Sequence, residues 1–414
     1  MSEKVKQAIF YCEKNGQGHL KEYMKPVFSE RSLKLANQIL ETDLQHINNL
    51  YKNISNPGQI AEAIPDISTM DVFDLTRADP EEIKELYQSG MTLLADRQFA
   101  AITLAGGQGT RLGHSGPKGT FILNVAPPVS LFEIQCKQLL KISNITGSEV
   151  PWLIMTSEEN HDATKDFFEK NNFFGYNPEI VRFFPQGMIP LIDFEGKILV
   201  DKYKIAKGPD GNGGIFSQLK KSGNLKWLKE MNIRKVFICG IDNPLVKMAD
   251  PVFIGFSEKN KSEIVCKSVL KKSWNENAGV FCRKNNRPHY VEYTDIPEEK
   301  AMAINEDGSY KFGDVGIVMY IYDIAILDRI AQNELPYHEA RKKIPFILPG
   351  GERVIPETVN GIKYETFIFD SFNYAESVSV MRVSRENEFA PIKNKNGDDS
   401  PEIAEELYMK AHKC

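Results

Sequence analysis

Apolar residues recur along the chain at two different spacings, and these separate helical from strand-forming regions. Up to about residue 95 they stand three or four positions apart, as in residues 32–40 and 80–87, which predicts helices. Asp79 and Pro80 supply an N-cap and a first-turn proline for the second of these helices. Between residues 96 and 345, short apolar runs alternate with amphipathic segments, which predicts a largely parallel sheet with helices on both faces.

The predicted elements follow one another closely through this middle region. Strands are predicted at residues 99–104, 152–156, 180–184, 263–270, 279–283 and 289–293, and in the run that leads from residue 235 to Asp242. Helices are predicted at residues 130–141, 162–168 and 215–220, and a strand at 379–383 precedes a terminal helix from Pro401. We therefore predict an α/β fold in three consecutive parts: a helical N-terminal region (1–95), an α/β domain (96–345) and a small α+β C-terminal region (346–414).

A glycine-rich stretch, residues 104–113, follows the first predicted strand, and residues 116–119 read Gly-Pro-Lys-Gly. Open α/β sheets bind ligands where a strand ends and the chain turns back. Glycines lack Cβ atoms, so the backbone can approach a ligand closely with its N–H groups exposed. These amide donors, together with Arg111 and Lys118, form a cradle suited to a polyphosphate.

The glycine spacing separates this stretch from the two common nucleotide-binding motifs. From Gly107 it reads Gly-x-Gly-x-x-x-Gly, which is one residue longer than the dinucleotide-binding fingerprint. Lys118 lies between Pro117 and Gly119, whereas a P-loop needs Gly-Lys followed by Ser or Thr. From the residues alone, a glycine-rich turn with two solvated cations remains the alternative.

Three further features point to nucleotide chemistry. Asp242 ends an apolar strand, and a carboxylate facing a polyphosphate cradle is a natural ligand for Mg²⁺; capping of the next turn is the alternative. Gln186, after the strand at 180–184, offers a donor and an acceptor, as the edge of a uracil requires. Residues 208–214 form a second glycine-rich loop that enters a helix, which suits close approach to a nucleoside or sugar.

Composition excludes several classes of protein. With 42% hydrophobic and 26% charged residues the chain is not expected to be disordered. A net charge of -5 gives no reason to expect nucleic-acid binding. The first 20 residues are polar and no apolar run reaches membrane length, so we expect a cytoplasmic protein. The six cysteines form no CxxC pair, which is typical of reduced core cysteines rather than disulfides or zinc ligands.

The stretch Leu-Ala-Gly-Gly-Gln-Gly-Thr-Arg-Leu-Gly, followed by Pro-Lys-Gly, resembles the eukaryotic UDP-sugar pyrophosphorylases. Gln108 and Arg111 favour the UDP-N-acetylglucosamine branch, and the resemblance covers roughly residues 95–395. It implies a Rossmann-like nucleotidyltransferase domain that makes UDP-N-acetylglucosamine and pyrophosphate from UTP and N-acetylglucosamine 1-phosphate. Residues 96–345 are then the catalytic domain. The implied cofactor is Mg²⁺, with Mn²⁺ as an alternative, and we expect a monomer that binds neither nucleic acid nor membrane.

The resemblance also assigns roles to residues at matching positions. The catalytic residues it implies are Arg111 and Lys118, which would grip the leaving pyrophosphate, and Lys363 and Lys393 on the sugar-phosphate side. The other implied residues are Leu104, Ala105, Gly106, Gly107, Gln186 and Gly213 for the nucleotide, Asn212 and Glu292 for the sugar, and Asp242 for the metal.

One segment departs from the pattern of the resembled enzymes. After Phe312 they carry Asn-Ala-Gly-Asn, with an asparagine that contacts the sugar, whereas residues 313–316 here read Gly-Asp-Val-Gly. The sugar therefore stays open, and the same reaction with glucose or galactose 1-phosphate is the nearest alternative. A UDP-sugar-binding protein without catalysis and a dinucleotide-dependent oxidoreductase are the others.

Overall fold

The computed structural model describes residues 3–25, 29–55 and 66–412. By its internal contacts the chain falls into two compact units, each assembled from three stretches. Unit 1 comprises Met1–Glu62, Gly187–Gly214 and Leu335–Ile368, and unit 2 comprises Ala63–Gln186, Ile215–Glu334 and Phe369–Cys414. The predicted division at residues 95 and 345 follows chain order and stays a prediction.

The predicted helices are present, and most begin and end within a few residues of the predicted positions, although the helix that begins at Pro80 continues to Ala95 and further helices were not predicted. Over the described ranges they are α1 (Glu3–Lys14), α2 (Glu30–Glu41), α3 (Leu44–Leu50), α4 (Pro80–Ala95), α5 (Leu131–Thr146), α6 (His161–Lys170), α7 (Ile215–Lys221), α8 (Asn224–Glu230), α9 (Pro251–Asn260), α10 (Glu298–Met302), α11 (Ile324–Ile330), α12 (Arg385–Glu388) and α13 (Pro401–Ala411). Side-chain caps account for several starts: the Asp79 carboxylate accepts a hydrogen bond from the Glu81 N–H at 2.8 Å, and the Ser130 hydroxyl accepts one from Glu133 N–H at 3.2 Å. Each such cap stabilises its helix by about 1 kcal/mol.

The predicted strands are present, but others were not predicted, including the longest within the described residues, at 314–323. They are β1 (Ile67–Ser68), β2 (Val72–Asp74), β3 (Phe99–Leu104), β4 (Ile122–Leu123), β5 (Val129–Ser130), β6 (Trp152–Thr156), β7 (Val181–Pro185), β8 (Met188–Pro190), β9 (Ile192–Asp193), β10 (Val200–Asp201), β11 (Lys204–Ile205), β12 (Lys207–Pro209), β13 (Lys235–Gly240), β14 (Ile264–Leu270), β15 (Val280–Lys284), β16 (Arg287–Val291), β17 (Asp314–Asp323), β18 (Tyr337–Lys342), β19 (Phe346–Ile347), β20 (Arg353–Val354), β21 (Gly361–Thr366) and β22 (Val378–Arg382). β16 begins two residues before its predicted start because Asn285 and Asn286, both with positive φ, form a two-residue hairpin turn after β15.

Unit 2 is built on a mixed sheet of eleven strands within the described residues. Its main path runs β2-β22-β14-β17-β13-β3-β6-β7, with β1, β15 and β16 attached through β17. Neighbours along this path are parallel except at β17, which is antiparallel to both β13 and β14. The predicted α/β fold with a mixed, mostly parallel sheet is confirmed. The carboxyl ends of β3, β6, β7 and β13 therefore meet at one edge, where open sheets of this kind bind ligands.

Two glycines let α4 and α9 pack backbone to backbone in unit 2. A Cβ atom on Gly90 would overlap the carbonyl oxygen of Pro251, and one on Gly255 would overlap that of Leu86. Replacement of either glycine by alanine would separate the two helices, because the obstructing atoms belong to backbone rather than to flexible side chains.

A buried lysine of β14 joins three parts of unit 2. Lys267 is 1% exposed, and its ammonium group contacts the carboxylates of Asp250, at the start of α9, and of Glu388, at the end of α12. Burial alone would lower the pKa of Lys267, but the two facing carboxylates outweigh it and raise the pKa. The half-exposed Lys247 adds a second ion pair to Glu388 at 2.8 Å.

Within the described residues, unit 1 contains α1–α3 and four small sheets. The largest has the order β18-β21-β9, and the others pair β8 with β12, β10 with β11 and β19 with β20. Apolar residues of the helices and strands, such as Leu35, Ile39, Ile192 and Tyr364, form its core. The helices predicted near the amino terminus are confirmed.

The cysteines that the structure describes lie in the interior of the protein. The five cysteines within the described ranges are buried and unpaired, as predicted, and Cys414 lies outside those ranges. Burial raises the pKa of their thiols, to about 12 for Cys12, Cys136 and Cys282.

A search of the described helices finds none with the length and apolar character needed to span a bilayer.

Candidate active site

The glycine-rich loop leaves the carboxyl end of β3 and closes as a hairpin. Lys118 N–H donates to the Gly107 carbonyl at 3.0 Å, and Gly109 N–H donates to the Gly116 carbonyl at the same distance. This closure returns the chain to the end of β3 and places Lys118 in a short 3₁₀ turn, Lys118–Thr120. Arg111 is exposed in a second 3₁₀ turn at the far end of the loop, Thr110–Leu112.

A buried asparagine holds the start of this loop. The amide of Asn160, 1% exposed, donates to the carbonyls of Ala105 at 3.0 Å and Gly107 at 3.3 Å. Its amide oxygen accepts from the Ser157 N–H at 2.7 Å, which locks its orientation. Sequence reasoning missed Asn160, since nothing in the turn between β6 and α6 distinguishes it from a solvated loop residue.

Gln186 lies directly against the glycine loop. Its backbone N–H donates to the Thr156 carbonyl at 2.8 Å, which fixes it at the end of β7. A Cβ atom on Gly106 would lie 2.7 Å from the side-chain amide of Gln186, so only glycine at 106 admits this amide. The side-chain amide of Gln186 therefore places a hydrogen-bond donor and an acceptor beside the loop that follows β3. Such an amide can hydrogen-bond the edge of a pyrimidine.

Lys118 and Asp242 face each other at this edge of the sheet. Lys118 Nζ lies 4.0 Å from Asp242 Oδ2, and their side chains are 17% and 31% exposed. A Cβ atom on Gly240, the last residue of β13, would lie 2.7 Å from Asp242 Oδ1, so the carboxylate lies back over the end of its own strand. A mobile cation and a carboxylate are therefore placed together beside the glycine loop.

The segment after α12 is anchored to the backbone beside Asp242. Ile392 N–H donates to the Asp242 carbonyl at 2.8 Å. The buried Asn243 donates through its side-chain amide to the Glu388 carbonyl at 2.7 Å and accepts from the Ala390 N–H at 3.0 Å. Asn243 was not predicted as a site residue, and its role depends on a segment nearly 150 positions away, which no local pattern reveals.

Because Ile392 is bonded to the Asp242 backbone, the next residue, Lys393, lies near Asp242 in space. The Lys393 ammonium group nevertheless pairs with a different carboxylate, that of Asp399. Lys393 Nζ lies 3.6 Å from Asp399 Oδ2, and the lysine side chain is half exposed. Glu292 follows β16 and is partly buried. Unit 2 therefore holds Leu104–Gly107, Arg111, Lys118, Gln186, Asp242, Glu292 and Lys393 of the predicted site.

The other predicted site residues, Asn212, Gly213 and Lys363, lie in unit 1. Asn212 Oδ1 accepts from the Ile368 N–H at 2.9 Å, and Gly213 lies so close to the Phe367 backbone that a Cβ atom would approach it to 2.8 Å. Lys363 donates to Glu365 at 2.6 Å. The roles predicted for these three residues stay predictions.

Asp242 fits a magnesium ion that is held mainly by its nucleotide. No group of three His, Cys, Asp or Glu side chains suited to a metal occurs in residues 3–25, 29–55 and 66–412. Mg²⁺ needs only one or two protein carboxylates and completes its shell with phosphate oxygens and water. The partly exposed Asp242 carboxylate beside the glycine loop is suited to be that single ligand, and its role as the metal ligand stays a prediction.

His114 contacts both the glycine loop and the turn that follows it. Its Nε2 lies 2.7 Å from the Thr120 hydroxyl, which itself donates to the Pro117 carbonyl at 2.9 Å. A Cβ atom on Gly109 would lie 2.7 Å from the Cβ of His114, so this glycine makes room for the histidine. His114 and Thr120 thus connect the two ends of the turn that carries Lys118.

We expect Thr120→Val to lower turnover roughly three- to tenfold, the worth of one hydrogen bond that positions a catalytic group. Thr120→Ser keeps the hydroxyl and should retain nearly normal turnover. Steady-state rates of both variants, with melting temperatures to verify folding, check this. Equal turnover of the valine and serine variants would show that the hydrogen bond does not position Lys118.

Comparison with known proteins shows the family of the chain. Residues 44–412 match the family model described as UTP–glucose-1-phosphate uridylyltransferase. The chain belongs to this family. UDP-N-acetylglucosamine pyrophosphorylase of Saccharomyces cerevisiae is 37% identical over 79% of the chain and 71% of its own length. The predicted resemblance to the UDP-sugar pyrophosphorylases is thereby confirmed, and with it the assignment as a nucleotidyltransferase.

Two solved structures show the same fold. The UDP-N-acetylglucosamine pyrophosphorylase of Trypanosoma brucei superposes with a TM-score of 0.85 at 30% identity, covering 100% of this chain and 85% of that one. A protein of Entamoeba histolytica described as a UDP-N-acetylglucosamine pyrophosphorylase gives a TM-score of 0.78 at 34% identity, with 83% and 88% coverage. This member of the uridylyltransferase family therefore shares its fold with proteins named for N-acetylglucosamine.

Proposed function

We propose that this family member transfers the uridylyl group of UTP to N-acetylglucosamine 1-phosphate and releases pyrophosphate. The observation that carries the proposal is the pairing of Lys118 with Asp242 beside the glycine loop. The names of its relatives in yeast and Trypanosoma brucei support N-acetylglucosamine as the sugar.

The chemistry needs positioning and charge neutralisation rather than a general base. A phosphate oxygen of the sugar phosphate, already an anion, attacks the α-phosphorus of UTP, and the bond from that phosphorus to the bridging oxygen of pyrophosphate breaks. Two polyanions must meet, and charge develops on the α-phosphate and on the leaving group. Preorganised cations and amide donors at such a site lower the barrier by several kcal/mol each.

The proposed roles of the residues in unit 2 are those that the resemblance to the family implies. Leu104–Gly107 and Gln186 bind the nucleotide, with the Gln186 amide on the uracil edge. Lys118 and Arg111 hold the leaving pyrophosphate. Asp242 would hold Mg²⁺, or Mn²⁺ as the alternative, and the ion when bound neutralises phosphate charge as a Lewis acid.

The remaining roles concern the sugar phosphate. We propose that Lys363 and Lys393 bind its phosphate and that Asn212, Gly213 and Glu292 contact the nucleoside and sugar. Lys363 and Lys393 pair with Glu365 and Asp399 in the structure described here, so each would exchange a carboxylate for a phosphate on binding. We also propose that the protein works as a cytoplasmic monomer, without nucleic acid or membrane, which size-exclusion chromatography and cell fractionation can test.

Glucose or galactose 1-phosphate is the second candidate substrate, favoured by the missing side chains at Gly313 and Gly316. Pyrophosphate release from UTP and Mg²⁺ should be measured with N-acetylglucosamine, N-acetylgalactosamine, glucose and galactose 1-phosphates. We expect kcat/KM for N-acetylglucosamine 1-phosphate to exceed that for glucose 1-phosphate by tenfold or more, about the discrimination that a single well-fitted group provides. A preference for glucose or galactose 1-phosphate would change the proposed sugar but not the proposed reaction. If no sugar phosphate gives pyrophosphate release, the protein binds UDP-sugars without catalysis.

A further inference from the structure

Residues 388–393, which we call the linking segment, are held to the loop after β13 by one buried asparagine. The side-chain amide of Asn243, 4% exposed, donates to the Glu388 carbonyl at 2.7 Å. Its amide oxygen accepts from the Ala390 N–H at 3.0 Å and from the Leu245 N–H at 3.2 Å. Asn243 therefore holds the linking segment at two points and its own loop at a third.

The Glu388 side chain ties the linking segment to the same loop by a second route. Its carboxylate is buried and contacts the ammonium group of Lys267 on β14. That ammonium group also lies 2.6 Å from the carboxylate of Asp250, at the other end of the loop that begins with Asp242. The backbone of Glu388 is thus fixed by its own ion pair, and its carbonyl is presented to Asn243 in a set place.

The two sides of this contact differ in rigidity. Strand β13 is hydrogen-bonded to β3 on one side and to β17 on the other, and the Ile241 N–H donates to the Leu104 carbonyl at 3.1 Å. Residues 389–393, all of which the structure describes, form neither helix nor strand. Segments that few packed contacts and backbone hydrogen bonds hold open most easily. Loss of the Asn243 bonds would therefore move the linking segment and leave Asp242 in place.

The charged group at the end of the linking segment is Lys393. The preceding residue, Ile392, donates through its N–H to the Asp242 carbonyl at 2.8 Å, and the Lys393 N–H donates to the Asp399 carbonyl at 2.7 Å. The Lys393 side chain is 50% exposed. Because this side chain is long and solvated, the place of its backbone decides which anions its ammonium group can reach. The bonds that Asn243 makes therefore set where Lys393 can act relative to Asp242.

We propose that Asn243 is a positioning residue that fixes Lys393 at its working distance from Asp242. Asn243 acts through the backbone of the linking segment, since its buried amide is fully used in hydrogen bonds to that segment and to its own loop. The assignment rests on the proposed function, because it takes Lys393 to bind the phosphate of the sugar phosphate. A displacement of about 1 Å between reacting groups can lower a rate roughly a hundredfold, so a small shift of this segment has a measurable effect.

The first test is the steady-state kinetics of Asn243→Ala with UTP, Mg²⁺ and N-acetylglucosamine 1-phosphate. We expect kcat/KM for the sugar phosphate to fall roughly tenfold or more. The KM for UTP and the Mg²⁺ concentration that gives half the maximal rate should stay within about twofold of the wild type, because Asp242 keeps its place at the end of β13. Asn224→Ala is the matched control: Asn224 is 3% exposed and bonds to Ser222 and Arg182, so its loss should leave all three values unchanged.

A double-mutant cycle separates positioning from a general loss of structure. In Lys393→Ala the group through which Asn243 acts is missing, so the addition of Asn243→Ala should lower kcat/KM further by less than about twofold. A variant that only loosened the protein would lower it by the same factor in both backgrounds. Asn243→Ser, which is too short to reach both Glu388 and Ala390, replaces the alanine variant in the cycle if melting temperatures show that the latter does not fold.

Three results would overturn the assignment: kcat/KM of the folded Asn243 variants within about twofold of the wild type, an equal fall in both backgrounds, or wild-type kinetics in Lys393→Ala. Each of these leaves the reaction itself standing. A wild-type enzyme inactive with every sugar phosphate overturns the proposed function instead, and this is seen before any variant is made. The two failures are therefore distinguishable.

Discussion

Lys118→Ala is expected to lower kcat by about two to three orders of magnitude, the usual loss when one preorganised charge is removed from a developing anion. The lysine is 17% exposed and lies 4.0 Å from Asp242 Oδ2, so its charge is partly shielded from water and directed at the site. Its loss should scarcely affect folding, because Asp242 is accessible enough to be solvated. Pyrophosphate release and the melting temperature of the same sample separate the two effects.

A matched control exists on α5. Lys137 is 56% exposed and pairs with Glu133 at 2.7 Å, and its replacement by alanine should leave turnover unchanged. Near-normal turnover in Lys118→Ala would exclude this lysine from the catalytic set, whatever the behaviour of the control.

The largest loss of stability is expected from Lys267→Met. Removal of the lysine leaves the Asp250 and Glu388 carboxylates buried without their shared cation, which should lower the free energy of unfolding by roughly 4 kcal/mol. Lys247→Met removes only a half-exposed partner of Glu388 and should cost about 1 kcal/mol or less. Urea unfolding of both variants at neutral pH measures these free energies.

The pH dependence provides a second check on the same network. In the wild type, burial opposes ionisation of Asp250, but Lys267 outweighs it and lowers its pKa, so this stabilisation is present at neutral pH and is lost as the pH falls through the lowered value. In Lys267→Met the carboxylates lose that support and can become protonated. The deficit of the variant should therefore be largest near neutral pH and shrink in acid. A deficit that is independent of pH would indicate lost packing rather than an unpaired charge.

Local patterns in the sequence are sufficient to predict the strands and helices that carry the candidate site. Strands β3 and β13 are continuous apolar runs, and the caps at Asp79 and Ser130 are read from adjacent residues, so periodicity and capping predict them well. The glycine loop and Asp242 follow directly from where these strands end. For these features the information lies within a few positions of the residue concerned.

The supports of the site could not be predicted in this way. Asn160 acts on carbonyls 55 and 53 positions earlier in the chain, and Asn243 on a segment nearly 150 positions later. Tyr290 lies between Gly279, just before β15, and Gly316 in β17, so its place is fixed by tertiary contacts that no local spacing encodes. The same holds for Lys363 and Lys393, whose charges are paired with carboxylates that the motifs do not mention.

The place of β22 in the sheet has a consequence for how the protein is made. β22 lies between β14 and β2, and about 300 residues separate β2 from it in the chain. At the usual rate of protein synthesis, roughly 15 to 60 s pass between the synthesis of β2 and that of its pairing partner β22. Strand β14 is made about 110 residues before β22, so for the last roughly 5 to 20 s of that interval its edge facing β22 also has no partner, and an unpaired strand edge of this kind is prone to aggregation.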